Sequence, residues 1–325
     1  MKSAGLPRRP AVRLTALGFG ASQGGNLFRV RSDEEFAAAV DAAWDAGIRY
    51  FDTAPHYGLG LSERRVGAAL RARPREDYVI STKVGRLLVP SPQTAHLTDE
   101  EGFEVAADHR RVWDFSRDGV LRSLEASLER TGLDRIDVVY LHDPDDHWQQ
   151  AATEAVPALV ELRDQGVIRA IGAGMNQSAM LTRFVRETDI DLVMCAGRFT
   201  LLEQGALDDL LPAADQRGVA VVIAGVYNSG LLARDRPPAN ATYNYQPAPT
   251  EILDRATDIA QICQSHHTTL PEAALAYVRR HTAVACTVVG MGTPTQVRET
   301  VRRAAADVPA DLWPALESAG LLRSP

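Results

Sequence analysis

The chain lacks the marks of several protein classes. Its only cysteines, Cys195, Cys263 and Cys286, form no CxxC and no metal-ligand spacing, which excludes a disulfide framework or a zinc ribbon. Cys195 and Cys286 lie inside apolar runs and read as buried free thiols, as in a reducing compartment. No metal is expected. No window approaches the roughly 18 apolar residues that span a bilayer, and residues 1–10 carry no apolar signal core. A cytoplasmic protein is the expectation. Lys and Arg never form a block longer than a pair, and the formal net charge is -7, so neither nucleic acid nor an anionic membrane is expected as a partner. The Arg-rich stretch 64–75 and the pair Arg302-Arg303 read as solvated helix faces.

What is present is ordinary for a globular protein: 325 residues, 45% hydrophobic and 24% charged. Strand-like runs, apolar on both faces, fall at 14–20, 49–52, 78–83, 136–142, 168–174, 192–197, 219–224 and 285–289. Such runs suit a parallel sheet covered by helices. Helical patterns alternate with them at 33–46, 62–72, 116–131, 154–165, 178–187, 203–217, 251–266 and 295–306. Ser32 with Glu35 is a capping signal, and Gly47, Gly132, Gly166 and Gly218 stand at helix ends. Eight such units predict a closed (β/α)8 barrel, read as one domain over 1–325. The Gly-rich run 17–25 starts no helix, which argues against a doubly wound sheet. Two stretches interrupt the alternation, 84–115 and 228–249. Their aromatics read as a lid or substrate wall, or as a surface excursion packed on itself.

Four residues make one chemical argument. Asp52, Lys83 and His142 end strand-like runs, and Tyr57 lies just past the first of these. Polar groups delivered from successive strand ends are how such a barrel builds an active site. A cationic Lys83 near Tyr57 would favour tyrosinate, and Asp52 would hold the ammonium. His142 would donate to a substrate oxygen or relay a proton. The group suits protonating a carbonyl as hydride arrives, or taking a hydroxyl proton as hydride leaves.

The segments Asp52-Thr-Ala-Pro-His-Tyr57-Gly-Leu-Gly-Leu-Ser-Glu63, Ser81-Thr-Lys83 and Asp137-Val-Val-Tyr-Leu-His142 resemble the signatures of the aldo-keto reductase superfamily, over essentially the whole chain. The resemblance implies a (β/α)8 barrel with a nicotinamide cofactor laid across the C-terminal face. It implies Tyr57 as general acid/base, Lys83 and Asp52 as the pair lowering its pKa, and His142 as the substrate-orienting partner. Residues 44–52, 81–86, 111–116, 141–145 and 225–232 are similar to the sugar-oxidising branch, the D-threo-aldose 1-dehydrogenases (L-fucose dehydrogenases). The implied reaction oxidises the anomeric hydroxyl of an aldose to a lactone, with Tyr57 as base. Rival implications are an NADPH-dependent aldehyde or ketone reductase, an alcohol dehydrogenase of the pyridoxal 4-dehydrogenase type, and a slow cofactor-sensing subunit.

The same resemblance implies a cofactor path. Asn176, flanked by Met175, matches a contact to the nicotinamide carboxamide, with Arg198 close by. Val226, Asn228 and Leu231 match positions that wrap the pyrophosphate, and Tyr227 reads as either a stacking aromatic or a core one. The adenosine end falls at Gly290, Gly292, Thr293, Gln296, Glu299 and Thr300. Gly290, Gly292 and Gln296 are uncharged where relatives that prefer NADPH carry Lys or Arg, so NAD+ is expected over NADP+, with Arg298 one turn further on. Substrate candidates are His56, Trp113 and Asp143, the last reading equally as a turn cap. A small sugar is the expected partner, and the chain is expected to be a monomer or small homo-oligomer.

Overall fold

A computed structural model describes residues 1–244 and 246–324; position 245, within the 228–249 excursion, and Pro325 lie outside the described residues. Eight parallel strands close a barrel: β1 (Leu17–Gly20), β2 (Tyr50–Asp52), β3 (Val79–Val84), β4 (Val138–His142), β5 (Ala170–Met175), β6 (Leu192–Ala196), β7 (Ala220–Ala224) and β8 (Val284–Gly290). Neighbours in sequence are neighbours in space, and β8 pairs with β1. The expected strands are all present, with one change at the start. Arg13–Thr15 does not extend β1 but pairs antiparallel with Ser3–Gly5. Thr15 turns the chain there, its hydroxyl donating to Leu17 O at 2.8 Å. The hairpin carries Leu6, Val12 and Leu14 into a small core with Tyr50, Tyr140, Met194, Val222 and Cys286. A larger core fills the space between strands and helices.

Helices α1 (Asp33–Asp45), α2 (Leu61–Leu70), α3 (Arg117–Thr131), α4 (Val156–Asp164), α5 (Ser178–Glu187) and α6 (Leu210–Arg217) follow β1 to β6. Ser32 and Ser116 cap α1 and α3 through the amides of Glu35 and Gly119, and Gly132 ends α3 in the left-handed region. α6 is shorter than expected, because Gly205–Leu207 is a separate 3-10 turn. Two helices, not one, join β7 to β8: α7 (Thr250–Ser265) and α8 (Leu270–Val278). The second was legible as a capping box, Thr269 with Glu272, followed by Pro271 at its start. α9 (Pro294–Ala304) follows β8, and α10 (Leu312–Ser318) packs against α7. The 84–115 excursion is no bare loop: Arg86–Pro90 and His109–Trp113 form an antiparallel pair. No helix among the described residues is long and apolar enough to cross a membrane. All three cysteines are buried free thiols.

Candidate active site

Strand alternation decides which side chains reach the barrel interior. Tyr50 and Asp52 on β2, Ser81 and Lys83 on β3, and Tyr140 and His142 on β4 point the same way, and register pairs Asp52 with Ser81 and Lys83 with Tyr140. A continuous chain of contacts results. Tyr50 Oη lies 3.0 Å from both Tyr140 Oη and Ser81 Oγ, and Ser81 donates to Asp52 Oδ1 at 2.7 Å. Lys83 Nζ then donates to Asp52 Oδ2 at 2.7 Å and to Thr53 O at 3.0 Å. Burial holds the Tyr50 and Tyr140 phenols well above their usual range, so this lower layer keeps its protons. Sequence reasoning missed it; the signal was the apolar-strand position of two tyrosines two residues before Asp52 and His142.

Tyr57 is placed by a close approach of two backbones. A Cβ on Gly25 would lie 2.5 Å from the Tyr57 carbonyl carbon, and one on Gly58 (φ +61°) would lie 2.3 Å from Gly25 O. Only glycine permits both contacts. Lys83 Nζ sits 4.8 Å from the Tyr57 ring centroid. The expectation that Lys83 and Asp52 lower the Tyr57 pKa needs correction. Burial raises it most, Lys83 pulls it down, Asp52 pushes it up, and the net direction is upward. For Lys83, burial works downward but Asp52 and Tyr57 outweigh it, and the ammonium is held charged.

His142 lies 6.0 Å from the Tyr57 ring and 5.4 Å from His56, centroid to centroid. Burial, reinforced by Arg86 and Lys83, keeps its pKa well below 6.5, so the imidazole is neutral. Its Nδ1 is buried without a partner among the described residues, and its Nε2 is 3.7 Å from Asp143 Oδ2. His56 is likewise neutral, lowered to about 2 by burial and by Arg86 and Arg111. Arg86 Nη1 lies 3.3 Å from His56 Nδ1; a guanidinium only donates, so Nδ1 accepts. Arg86 Nη2 donates to Asp143, and its guanidinium stacks 4.4 Å over Trp113. Arg111 grips Asp99 through two hydrogen bonds and donates to His56 O at 2.9 Å.

The 84–115 excursion therefore does reach the site, through one of its aromatics, Phe103, and through Arg86 and Arg111. Phe103 borders the cluster, its ring 6.1 Å from Tyr57 and 5.3 Å from His56. Trp113 is 44% exposed and stacks on Arg86, Phe115 and His147. Phe115 is fully buried against Gly85, not at the mouth. Arg86 and Arg111 lay within the segments that carried the resemblance, yet nothing in their spacing revealed their partners.

The remaining candidates sit on the other half of the rim. Met175 is buried at the end of β5, and Asn176 is exposed beside it. Arg198 joins the segments after β5 and β6 to the 228–249 excursion, donating to Asn176 O at 2.8 Å and Asn244 Oδ1 at 3.3 Å. After β7, Val226 and Leu231 are buried. Asn228 is occupied internally: Oδ1 accepts from Thr200 at 2.7 Å and Nδ2 donates to Gly197 O at 3.3 Å. Its amide donates to Gly225 O and the Leu231 amide to Asn228 O. Tyr227 turns away from the mouth, packing into the helix layer with Arg303 and Glu272 among its charged neighbours, so the core-aromatic reading holds.

At the end of β8, Gly290 is exposed and Gly292 buried. Thr293 caps α9 through Gln296 N at 3.2 Å, and Gln296 Oε1 accepts from Gly292 N at 2.8 Å. Glu299 lies 4.0 Å from Arg303, and Thr300 is buried. One charged residue near this turn went unread in the sequence: Arg31, whose Nε lies 2.4 Å from where a Gly292 Cβ would stand. β2 to β4 thus deliver the Asp52, Lys83 and His142 cluster, and β5 to β8 surround a separate arc ending at a helix N-terminus.

The closed parallel barrel carries this polar cluster at its strand ends, and residues 16–320 match the aldo/keto reductase family, so the chain belongs to that family of oxidoreductases. It is 49% identical to a D-threo-aldose 1-dehydrogenase of Pseudomonas sp, over 97% of this chain and 96% of that one. It is 38% identical to the pyridoxal 4-dehydrogenase of Microbacterium luteolum, over 97% and 96%. Among solved structures, an aldo-keto reductase from Bacillus halodurans in its holo form matches with a TM-score of 0.75 and 25% identity, covering 100% of this chain and 97% of that one.

Proposed function

We propose that this chain is an aldose 1-dehydrogenase. It oxidises the anomeric hydroxyl of a sugar of the L-fucose, D-arabinose or L-galactose type to the lactone, working as one domain over 1–325. The supporting observation is the array at the mouth. A neutral His142, a neutral His56 and the Arg86–Asp143 pair offer fixed donors and acceptors to several hydroxyls at once, beside a phenol backed by a buried ammonium. The 49% identity to a D-threo-aldose 1-dehydrogenase supports the same reading.

Tyr57 takes the proton of the anomeric hydroxyl while the hydride leaves C1, so the sugar loses two electrons and the lactone carbonyl forms. A bound nicotinamide dinucleotide supplies the hydride acceptor. Lys83, held charged by Asp52, favours the tyrosinate formed by deprotonation before each turnover. His142 donates to the substrate oxygen and fixes its position against Tyr57. Phe103 and Trp113 form the wall, and Asp143 and His56 meet the remaining hydroxyls.

The residues around the second arc fit such a dinucleotide: an open glycine turn at Gly290 leads into the capped N-terminus of α9. Met175, Asn176 and Arg198 would meet the nicotinamide end, Val226, Asn228 and Leu231 the pyrophosphate, and Gly290, Gly292, Thr293, Gln296, Glu299 and Thr300 the adenosine. We place NAD+ ahead of NADP+, because the strand end and the first turn of α9 bear no cation. A kcat/KM with NADP+ equal to or above that with NAD+ overturns this. We place the protein in the cytoplasm, as a monomer or small homo-oligomer, on the strength of its free thiols and acidic charge.

The test is NAD+ reduction over aldoses epimeric at C2, C3 and C4. Turnover confined to one stereochemical series is expected. The 38% identity to a pyridoxal 4-dehydrogenase favours a second reading, oxidation of a vitamin B6 alcohol or aldehyde; faster turnover of that compound than of any aldose would select it. Absence of multiple turnovers on every compound would leave only a cofactor-sensing role.

A further inference from the structure

Among the described residues, Arg31 is a buried cation that forms no ion pair with a carboxylate. It is 6% exposed, and its Nε has no partner among the described residues. The acids nearest in sequence are committed elsewhere: Asp33 pairs with Arg65 at 2.7 Å and Glu35 with Arg29 at 3.1 Å. The hydrogen bonds that Arg31 does make bring it no anion. Nη1 donates to Arg29 O at 3.3 Å, while its own amide donates to Asn26 Oδ1 at 3.1 Å and its carbonyl accepts from Arg65 at 2.7 Å. These bonds fix the residue without neutralising it. Burial and the neighbouring Arg29 weaken its hold on the proton, with Glu35 acting the other way.

Its guanidinium lies over the turn that opens α9. A Cβ on Gly292 would stand 2.4 Å from Nε and 2.9 Å from Cζ. That glycine therefore makes room for the arginine, and no other residue fits without displacing it. α9 runs for 11 residues from Pro294 with Thr293 as its cap, so its amide dipoles direct positive potential at the same place. Two positive groups, one of them a desolvated cation, face each other across a glycine turn. Isolated, this arrangement is unfavourable; an anion between them satisfies both.

We propose that Arg31 and the N-terminus of α9 form a phosphate-ester site, with Arg31 supplying the cation that the first turn of α9 lacks. The planar fork of an arginine suits a phosphate better than a point charge does. A dinucleotide offers that chemistry in two places, the internal pyrophosphate and, in NADP+, the ribose 2′-phosphate. The inference concerns binding alone and does not depend on the sugar substrate.

The experiment is calorimetric titration of the full chain with NAD+, NADP+, adenosine 2′,5′-bisphosphate and 5′-AMP. Arg31→Met is expected to weaken phosphate-bearing ligands by about 10-fold or more, the range of a lost charge-assisted hydrogen bond, with Arg31→Lys recovering part. A loss confined to NADP+ and the bisphosphate identifies the 2′-phosphate and narrows the NAD+ preference; a loss shared with NAD+ identifies the pyrophosphate. Gly292→Ala, which pushes the guanidinium aside, should reproduce the pattern and covers the case in which Arg31→Met fails to fold. Affinities within twofold of the parent for all four ligands, in either folded variant, overturn the proposal.

Discussion

Lys83 Nζ and Asp52 Oδ2 lie 2.7 Å apart, with the two side chains 2% and 3% exposed. Taking both charges out of water is costly, and their attraction offsets that cost only while the pair is intact. Asp52→Asn leaves a buried ammonium unpaired. We expect a loss of about 3–5 kcal/mol in unfolding free energy, read from denaturant midpoints. The Lys83 pKa is raised above 10.5 by its partners. The stability the pair contributes is therefore fully present below pH 10.5 and lost as pH rises through the higher folded value. An Asp52→Asn chain as stable as the parent at pH 7 would show that the pair contributes nothing.

Tyr57→Phe keeps the ring and removes only the hydroxyl. Turnover should fall by about 10²–10⁴-fold or more, the range of a lost general acid/base. Dinucleotide affinity, measured by fluorescence titration, should stay near that of the parent because β5 to β8 carry that arc. Retention of more than a few per cent of kcat contradicts the acid/base role.

Lys83→Met tests the tuning of that phenol. Burial already raises the Tyr57 pKa, and Lys83 is the main influence pulling it down. Without Lys83 the pKa rises further. In the oxidative direction, where the ionised phenol is the base, the ascending limb of kcat/KM should move to higher pH. A limb that stays in place excludes Lys83 as the tuning group.

His56 supplies a stability test in acid. Its pKa is lowered to about 2 from 6.5, first by burial and then by Arg86 and Arg111. The folded state keeps it neutral while the unfolded chain takes up a proton below pH 6.5. Stability should thus fall as pH drops below 6.5, by at most about 1.4 kcal/mol per pH unit from this group. His56→Gln should flatten that slope. An identical slope in the two proteins would assign the acid sensitivity elsewhere.

Gly58→Ala tests the placement of the catalytic loop. The added methyl would meet Gly25 O at 2.3 Å, at a φ of +61°. Both the clash and the backbone strain push Tyr57 from its position. We expect kcat to fall by at least about 10-fold with dinucleotide affinity little changed. Full activity in Gly58→Ala would mean that the loop adjusts freely.

The sequence by itself determined the barrel and the placing of Asp52, Lys83 and His142 at its strand ends. Apolar runs covered on both faces, separated by capped helical periods, leave few parallel arrangements, and a strand's alternation sends Asp52, Lys83 and His142 inward. Those are local properties, carried by a few residues each. What only the tertiary structure decided involves partners far apart in the chain. Arg86 holds His56 and Asp143 because the segments after β2, β3 and β4 meet at one rim. Tyr227 faces the helices, although its neighbours read as a cofactor loop. The balance at Tyr57 was misjudged because a spacing reveals a nearby cation but not how much water the fold removes. Arg31 stayed silent for the same reason: its charge is ordinary in sequence, and becomes informative only once folding buries it beside Gly292 with no ion pair among the described residues.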